Sequence, residues 1–261
     1  MEKALNGERQ LVFVTGEPGI GKTSVVDAFL HQLSTEKALW VGRGQCVEYY
    51  GAGEAYLPVL EALGRVCRAA GGERLVALLS RHASTWLAQM PGLLSDGESE
   101  ALQRKVSGVT HERMLREFAE MIEAVSAEQP LVLALEDLQW SDYSTLDLLT
   151  VVAQRREAAR VLVLGTYRPA DAIVSGHPLR AVKQELQAHR QCEELALGVL
   201  NEAAVAEYLA RRFPGSALPP RLARGIHRRT EGNPLFMVNV IEYLATQGLV
   251  REVQGHWQLQ A

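Results

Sequence analysis

Two stretches of this sequence hold side chains whose types and spacing could do chemistry. The first is Gly16-Glu17-Pro18-Gly19-Ile20-Gly21-Lys22-Thr23, followed by Ser24. It fits GxxxxGK[ST] at every fixed position. A polyphosphate needs many N–H donors converging on it, so the chain must turn back tightly. Gly16, Gly19 and Gly21 allow the backbone angles and the close approach that this requires. Lys22 would bring positive charge to the β- and γ-phosphates and Thr23 a hydroxyl to Mg²⁺. The helix opening at Lys22 would point its positive end at the anion. The second stretch is Glu136-Asp137, delivered by the tip of the apolar run Leu131 to Leu135. One carboxylate can hold Mg²⁺, directly or through water, while the other orients or activates an attacking water. Adjacent residues of a strand face opposite ways, so the two acids are not expected to do the same job. We assign Glu136 to Mg²⁺ and Asp137 to the water.

The elements that must position these groups are legible around them. Leu11 to Val14 reads as a buried strand running straight into the glycine-rich turn. Lys22 to Leu33 reads as the helix leaving it, with Val25, Val26, Phe29, Leu30 and Leu33 on its apolar face. Ala38 to Val41, Leu131 to Leu135 and Val161 to Leu164 are further strands, and Glu194 to Leu197 a weaker fifth. Strands this continuously apolar imply a parallel sheet covered on both faces. Thr110 is expected to cap a helix with Met114, Leu115, Phe118, Met121, Ile122 and Val125 on one face, and Ser144 to cap another with Leu146, Leu149 and Val152. Gly71 to Gly108 reads as short helices inserted between the second and third strands. From Asn201 to Gly248 the pattern is helical, broken at Phe213-Pro214-Gly215 and Pro219-Pro220. The expected division is therefore an α/β core over 1–198 and a helical lobe over 199–248. Residues 249–261 read as a hairpin across Gly255 or the start of a winged helix.

Three more motifs join the first two: Gly165-Thr166-Tyr167-Arg168 after the fourth strand, Asp137-Leu138-Gln139-Trp140-Ser141-Asp142 after the acids, and Thr230-Glu231-Gly232-Asn233-Pro234-Leu235-Phe236 before the last long helix. Together they resemble the STAND ATPases, signal-transduction ATPases of the ASCE group of P-loop NTPases. The branch is the one found in LuxR-type regulators and in ATPase-containing adenylate cyclases and kinases. The resemblance covers nearly the whole chain. It implies a sheet of order 5-1-4-3-2 and a Walker B role for Glu136-Asp137. It makes Arg168 the sensor of the γ-phosphate, as a guanidinium forking onto phosphate oxygens would be. It makes Pro234 the proline of a GxP motif near the adenine. Pro234 also suits the first turn of a helix capped by Asn233. Related ATPases usually place Asp first in the acidic pair, so the roles of Glu136 and Asp137 are open to exchange. The function implied is a slow, Mg²⁺-dependent ATPase that switches between ATP and ADP states within a regulator. The alternatives are a module that binds nucleotide without turnover and a DNA-associated AAA+ ATPase of the origin-recognition kind. Relatives carry a GRExE-like stretch before the first strand and continue into a winged helix and effector domains. The resemblance thus implies a larger regulator, with protein partners or self-association through its flanking parts.

Composition narrows the classes. Of the 261 residues, 27 are Lys or Arg and 31 Asp or Glu, a net charge of -4. Nucleic-acid binders usually carry a basic excess, so direct nucleic-acid binding is not expected. Cys46, Cys67 and Cys192 are odd in number and widely spaced. That pattern suits neither a disulfide framework nor a zinc site, but reduced, buried thiols. The first ten residues are polar, unlike a signal peptide. The longest apolar runs fall far short of the ~18 residues of a membrane span. The expectation is a soluble, cytoplasmic protein that does not contact membrane. Arg221, Arg224, His227, Arg228 and Arg229 read as a solvated helical face. Arg155, Arg156 and Arg160 are weak candidates for an arginine finger, and His111 and His177 lack neighbours at ligand spacing. Glu48 to Tyr56 resembles a loop of the same family branch, with aromatic packing as the plainer account.

Overall fold

The apolar runs become neighbouring parallel strands. The computed structural model describes residues 1–36, 38–48, 54–106, 108, 110–216, 218–253 and 256–259. Strands β1 (Gln10–Thr15), β2 (Trp40–Gln45), β3 (Leu131–Glu136), β4 (Val161–Tyr167) and β5 (Glu193–Ala196) form one sheet, ordered β2-β3-β4-β1-β5. Every pairing in it is parallel. The order is the 5-1-4-3-2 expected. β4 is buried along its whole length and β3 up to Leu135, as inner strands covered on both faces must be. β5 is exposed at every residue, which is why its sequence signal is the weakest.

The second strand lies further along than its apolar run suggests, at Trp40–Gln45 rather than Ala38 to Val41. Gly42 and Gly44 hide it from a hydrophobicity reading, and packing explains them. A Cβ on Gly42 would come 2.9 Å from the Ala62 carbonyl oxygen, and one on Gly44 would collide with that of Pro58. Both carbonyls belong to α3 (Leu57–Arg68), whose backbone lies directly on the strand. Glycine in a strand often marks such an approach.

The helices are α1 (Glu2–Leu5), α2 (Lys22–Glu36), α3, α4 (Glu73–His82), α5 (Ser84–Ala88), α6 (Asp96–Lys105), α7 (His111–Glu128), α8 (Tyr143–Gln154), α9 (Pro169–Val174) and α10 (Leu179–Ala188) in chain order up to β5. α2 runs past Leu33, burying Val26, Leu30 and Leu33 but leaving Val25 exposed. α7 is capped as expected: the Thr110 side chain accepts the Arg113 N–H at 3.3 Å. The cap of α8 is Asp142 instead of Ser144. Its Oδ1 accepts the Thr145 N–H at 2.9 Å, and Ser144 falls inside the first turn. Both residue types cap well, so spacing alone did not distinguish them. α3 to α6 fill the stretch between β2 and β3. Their core centres on Trp86, whose ring lies 4.7 Å from Phe118 and 4.9 Å from Tyr56. Residues 49–53, within the aromatic segment singled out above, lie outside the described residues.

By contacts the chain divides into two compact units: Met1–Thr15 with Thr23–Ala196, and Gly16–Lys22 with Leu197–Ala261. The first holds the sheet and α1 to α10, apart from Lys22. In the second, α11 (Glu202–Arg212), α12 (Pro220–Thr230) and α13 (Pro234–Thr246) bury Val205, Leu209, Phe213, Ile226, Met237 and Ile241 together. The antiparallel pair β6 (Val250–Val253) and β7 (His256–Leu259) follows, and Trp257 packs on Phe213 at 4.8 Å. Residues 254 and 255, the expected turn, are outside the described residues.

Candidate functional site

The glycine-rich loop bends as its sequence requires. Gly16, Gly19 and Gly21 have φ of +150°, +75° and +96°, a region that side chains disfavour. Space is short as well. A Cβ on Gly16 would lie 2.8 Å from Ile20 Cγ2, and one on Gly19 2.8 Å from Leu235 Cβ. Lys22 is buried, and its Nζ donates to the carbonyls of Gly16 (2.8 Å) and Glu17 (3.0 Å). The ammonium thus ties the two ends of the turn together. Glu17 and Pro18 are exposed, and Ile20 is the loop's buried anchor.

Within the same unit, the motif before α13 grips this loop. Asn233 Nδ2 donates to the Pro18 carbonyl at 3.0 Å, and the Leu235 N–H reaches the Gly19 carbonyl at 3.1 Å. Asn233 Oδ1 also accepts the Leu235 N–H at 3.1 Å, so one side chain caps the helix and holds the loop. Glu231 (φ +51°) and Gly232 (φ +74°) form the left-handed bend that presents it. The Gly232 carbonyl accepts the Leu200 N–H at 2.8 Å. Pro234 is the first residue of α13, with no N–H that would need a partner there. The sequence reading marked Asn233 only as a cap; its bond to Pro18, 215 residues away, had no local signal.

In the other unit, the C-terminal ends of β2, β3 and β4 bring the acids together with their partners. Glu136 ends β3. Its Oε2 accepts from Thr23 Oγ1 at 2.9 Å and its Oε1 from Arg43 Nη2 at 2.7 Å. Arg43, on β2, also pairs with Asp27 at 2.6 Å. Burial works to lower the Arg43 pKa, but the hydrogen bonds to Glu136 and Asp27 outweigh it and hold the guanidinium above its ordinary value. Asp137 is not a strand residue, as the alternation argument assumed. It turns left-handed, φ 58° and ψ 44°, at the start of a short 3-10 turn. The two acids do diverge, but through this turn rather than through pleating.

Asp137 sits in a network of its own. Its N–H donates to Thr166 Oγ1 at 3.1 Å, and its Oδ1 accepts from Gln139 Nε2 at 3.0 Å. Gln45 Nε2 lies 3.4 Å from Oδ2. Gln139 is 2% exposed, and its Oε1 accepts the backbone N–H of Arg168 at 3.1 Å. It therefore bridges the acid and the arginine. The Arg168 guanidinium lies 3.8 Å from Asp137 Oδ1, pairs with Asp171 at 3.3 Å and stacks over Trp140 at 5.3 Å. Sequence reasoning gives no role to Arg43 or Gln45, and Gln139 enters it only as a member of the motif after the acids. The only local hint was an arginine set among the glycines of β2.

The remaining candidates are mostly structural. Arg155 pairs with Glu123 at 2.7 Å, and Arg160 donates to the Ser126 and Ala127 carbonyls, so neither side chain is available as a finger. His177 Nε2 contacts the Ser141 carbonyl oxygen. Arg221, Arg228 and Arg229 are exposed on α12. Cys46 and Cys67 are buried, whereas Cys192 is only partly so. Burial pushes the Cys67 and Cys192 thiols up to about 11 and Cys46 higher still. Among the described residues no helix is long and apolar enough to cross a membrane.

A parallel sheet of this order, a GxxxxGKT turn after β1 and acids at the tip of β3 define a P-loop ATPase. The chain belongs to the AAA ATPase domain family, whose profile matches residues 1–164. A domain of unknown function (DUF8739) matches residues 202–256. No curated protein matches the chain in sequence. Among solved structures it is similar to the Walker-type ATPase PABY2304 of Pyrococcus abyssi, at 15% identity and a TM-score of 0.52. That match covers 94% of this chain and 65% of the other, so the chain spans less than two thirds of that relative's length. A weaker likeness is to the Drosophila ORC structure bound to AT-rich DNA and Cdc6, at 11% identity and a TM-score of 0.37. It covers 100% of this chain and 83% of the other.

Proposed function

We propose that this chain binds ATP with Mg²⁺ and hydrolyses it slowly, and that the exchange of ATP for ADP switches a regulatory protein of the STAND type. The observation that carries the reading is the hydrogen bond from Thr23 to Glu136. It joins the hydroxyl of the GKT motif to the acid at the end of β3, the pair of oxygen groups that suits Mg²⁺. Mg²⁺ takes one or two protein ligands and completes its shell with phosphate oxygens and water, so these two oxygen groups would suffice. The ion would neutralise charge on the β- and γ-phosphates. Lys22 and the loop N–H groups of residues 17 to 24 would hold the phosphates. Glu136 and Thr23 would hold the metal, and Pro234 would lie near the base. Asp137 would orient the water, with Gln139 holding its carboxylate and Arg168 reaching the γ-phosphate. Loss of the γ-phosphate would release Lys22 and Arg168, which is the switching event. In this reading 1–198 is the ATPase core, 199–248 a lid-like helical lobe and 249–261 a hairpin that can open a further domain. The setting is cytoplasmic, with protein partners rather than DNA.

One observation favours a second reading, binding without turnover. Both Asp137 carboxylate oxygens already have a polar partner, Gln139 at 3.0 Å and Gln45 at 3.4 Å, which leaves the acid satisfied within the fold without an attacking water. The test is ATP binding by fluorescent analogue alongside phosphate release under excess ATP. Lys22→Ala should abolish both. An unchanged rate in Lys22→Ala would overturn the site assignment. Binding without phosphate release in the wild type would select the second reading.

A further inference from the structure

One acid at the sheet end has no part in the nucleotide reading. Asp171 stands in the first turn of α9, three residues after Arg168, and its Oδ2 accepts from Arg168 Nη1 at 3.3 Å. We propose that Asp171 is a latch on Arg168. It holds the guanidinium while no γ-phosphate is present and yields it when ATP binds, so it sets how strongly the site prefers ATP to ADP. The inference rests on the reading that Arg168 reaches the γ-phosphate, and it names the residue that regulates that reach.

The geometry separates what is pinned from what can turn. The Arg168 backbone is held on both sides: its N–H donates to Oε1 of the buried Gln139, and its carbonyl accepts the N–H of the buried Ala172 at 3.2 Å. The side chain has looser contacts. Its guanidinium lies 5.3 Å from the centre of the Trp140 ring and 3.8 Å from Asp137 Oδ1. The second distance is beyond hydrogen-bond reach, so Asp171 supplies the hydrogen bond that Asp137 does not. A cation–π contact depends on closeness to the ring rather than on where each N–H points. Trp140 can therefore carry the guanidinium while its N–H groups turn from one anion to another.

Two anions would then compete for one fork. A guanidinium grips phosphate oxygens best with two N–H groups at once, and Nη1 can join such a grip only by leaving Asp171. ATP offers that alternative and ADP does not, so the pair persists in the ADP state and opposes ATP alone. Its strength suits a latch rather than a lock. The side chains of Arg168 and Asp171 are 30% and 37% exposed, and a pair this exposed shifts an equilibrium by about two- to fivefold. When the γ-phosphate is lost, the same carboxylate recaptures the guanidinium. A carboxylate in the first turn of a helix also answers the positive end of its dipole. That purely structural role predicts a change in Tm and none in nucleotide preference.

The test is calorimetric titration of the full chain with ADP and with the slowly hydrolysed analogue ATPγS, both with Mg²⁺. Asp171→Asn should tighten ATPγS about two- to fivefold and leave ADP unchanged. Asp171→Glu, which keeps the charge, should behave as wild type. In an Arg168→Ala background, adding Asp171→Asn should change neither affinity, because the latch then has nothing to hold. The proposal is overturned if Asp171→Asn shifts both nucleotides alike, shifts neither or weakens ATPγS, or if its effect survives in Arg168→Ala. A lowered Tm with unchanged nucleotide preference would likewise overturn it. If the wild type binds neither nucleotide, the nucleotide reading falls and the latch with it. If the wild type binds both and Asp171→Asn leaves their ratio unchanged, the latch alone falls.

Discussion

At the scale of single residues, the acids at the end of β3 are told apart by what they touch. Glu136 is bonded to Thr23 and Arg43, whereas Asp137 is bonded to Gln139 and faces Arg168. The two should therefore fail differently. Glu136→Gln is expected to weaken Mg²⁺-dependent ATP binding, read as a raised Mg²⁺ requirement in titration. Asp137→Asn should leave binding close to wild type and lower the single-turnover rate by about 10²-fold or more, the usual scale for a positioned acid or base. The reverse pattern would exchange their roles. Gln139 is the residue on which this network turns. Gln139→Leu leaves the Asp137 carboxylate and the Arg168 N–H each short of a partner in a partly buried place. It should cost about 1–3 kcal/mol in urea denaturation and slow turnover as well. The glycines, Lys22, Thr23 and both acids were legible because the loop pattern and the apolar-run-then-acids pattern are local. Gln139 and Arg43 were not, because a buried glutamine and a strand arginine acquire meaning only from what they face.

At the scale of elements, β2 and β5 show how packing overrides pattern. The apolar run places β2 too early because Gly42 and Gly44 carry no hydrophobic signal, although the backbone of α3 requires them. Gly44→Ala is expected to destabilise the fold by roughly 3 kcal/mol, the upper end for overpacking. Denaturation by urea monitored by tryptophan fluorescence would report it, and a midpoint equal to wild type would refute the close approach. β5 is held by charge as well as by the sheet. Glu194 accepts from Lys183 and Thr15. Burial works to raise the Glu194 pKa, but these bonds outweigh it and hold the carboxyl below its ordinary value. A carboxyl depressed in the folded state stabilises above its unfolded pKa, about 4.3. That stability is lost as pH falls through the lower folded value. Glu194→Gln should therefore be less stable than wild type at neutral pH, and the gap should close on acidification below about pH 4.

At the scale of the whole molecule, the charge balance and the family bear on partners. With a net charge of -4, the chain should show no salt-dependent affinity for duplex DNA in fluorescence anisotropy, whereas steep salt dependence would revive the DNA-associated reading. The five-stranded parallel sheet was legible in outline, since runs of buried apolar residues and helical periodicity are written along contiguous segments. So was the phosphate loop, since every fixed position lies within eight residues. By itself the sequence determined the class of fold, the glycine-rich loop and the place of two acids at the end of an apolar strand, because each depends on neighbours in the chain. Only the tertiary structure decided that Thr23 meets Glu136 from 113 residues away and that Asn233 holds Pro18 from 215 away. Those contacts depend on the path of the backbone and on the space left between side chains, which no local spacing encodes.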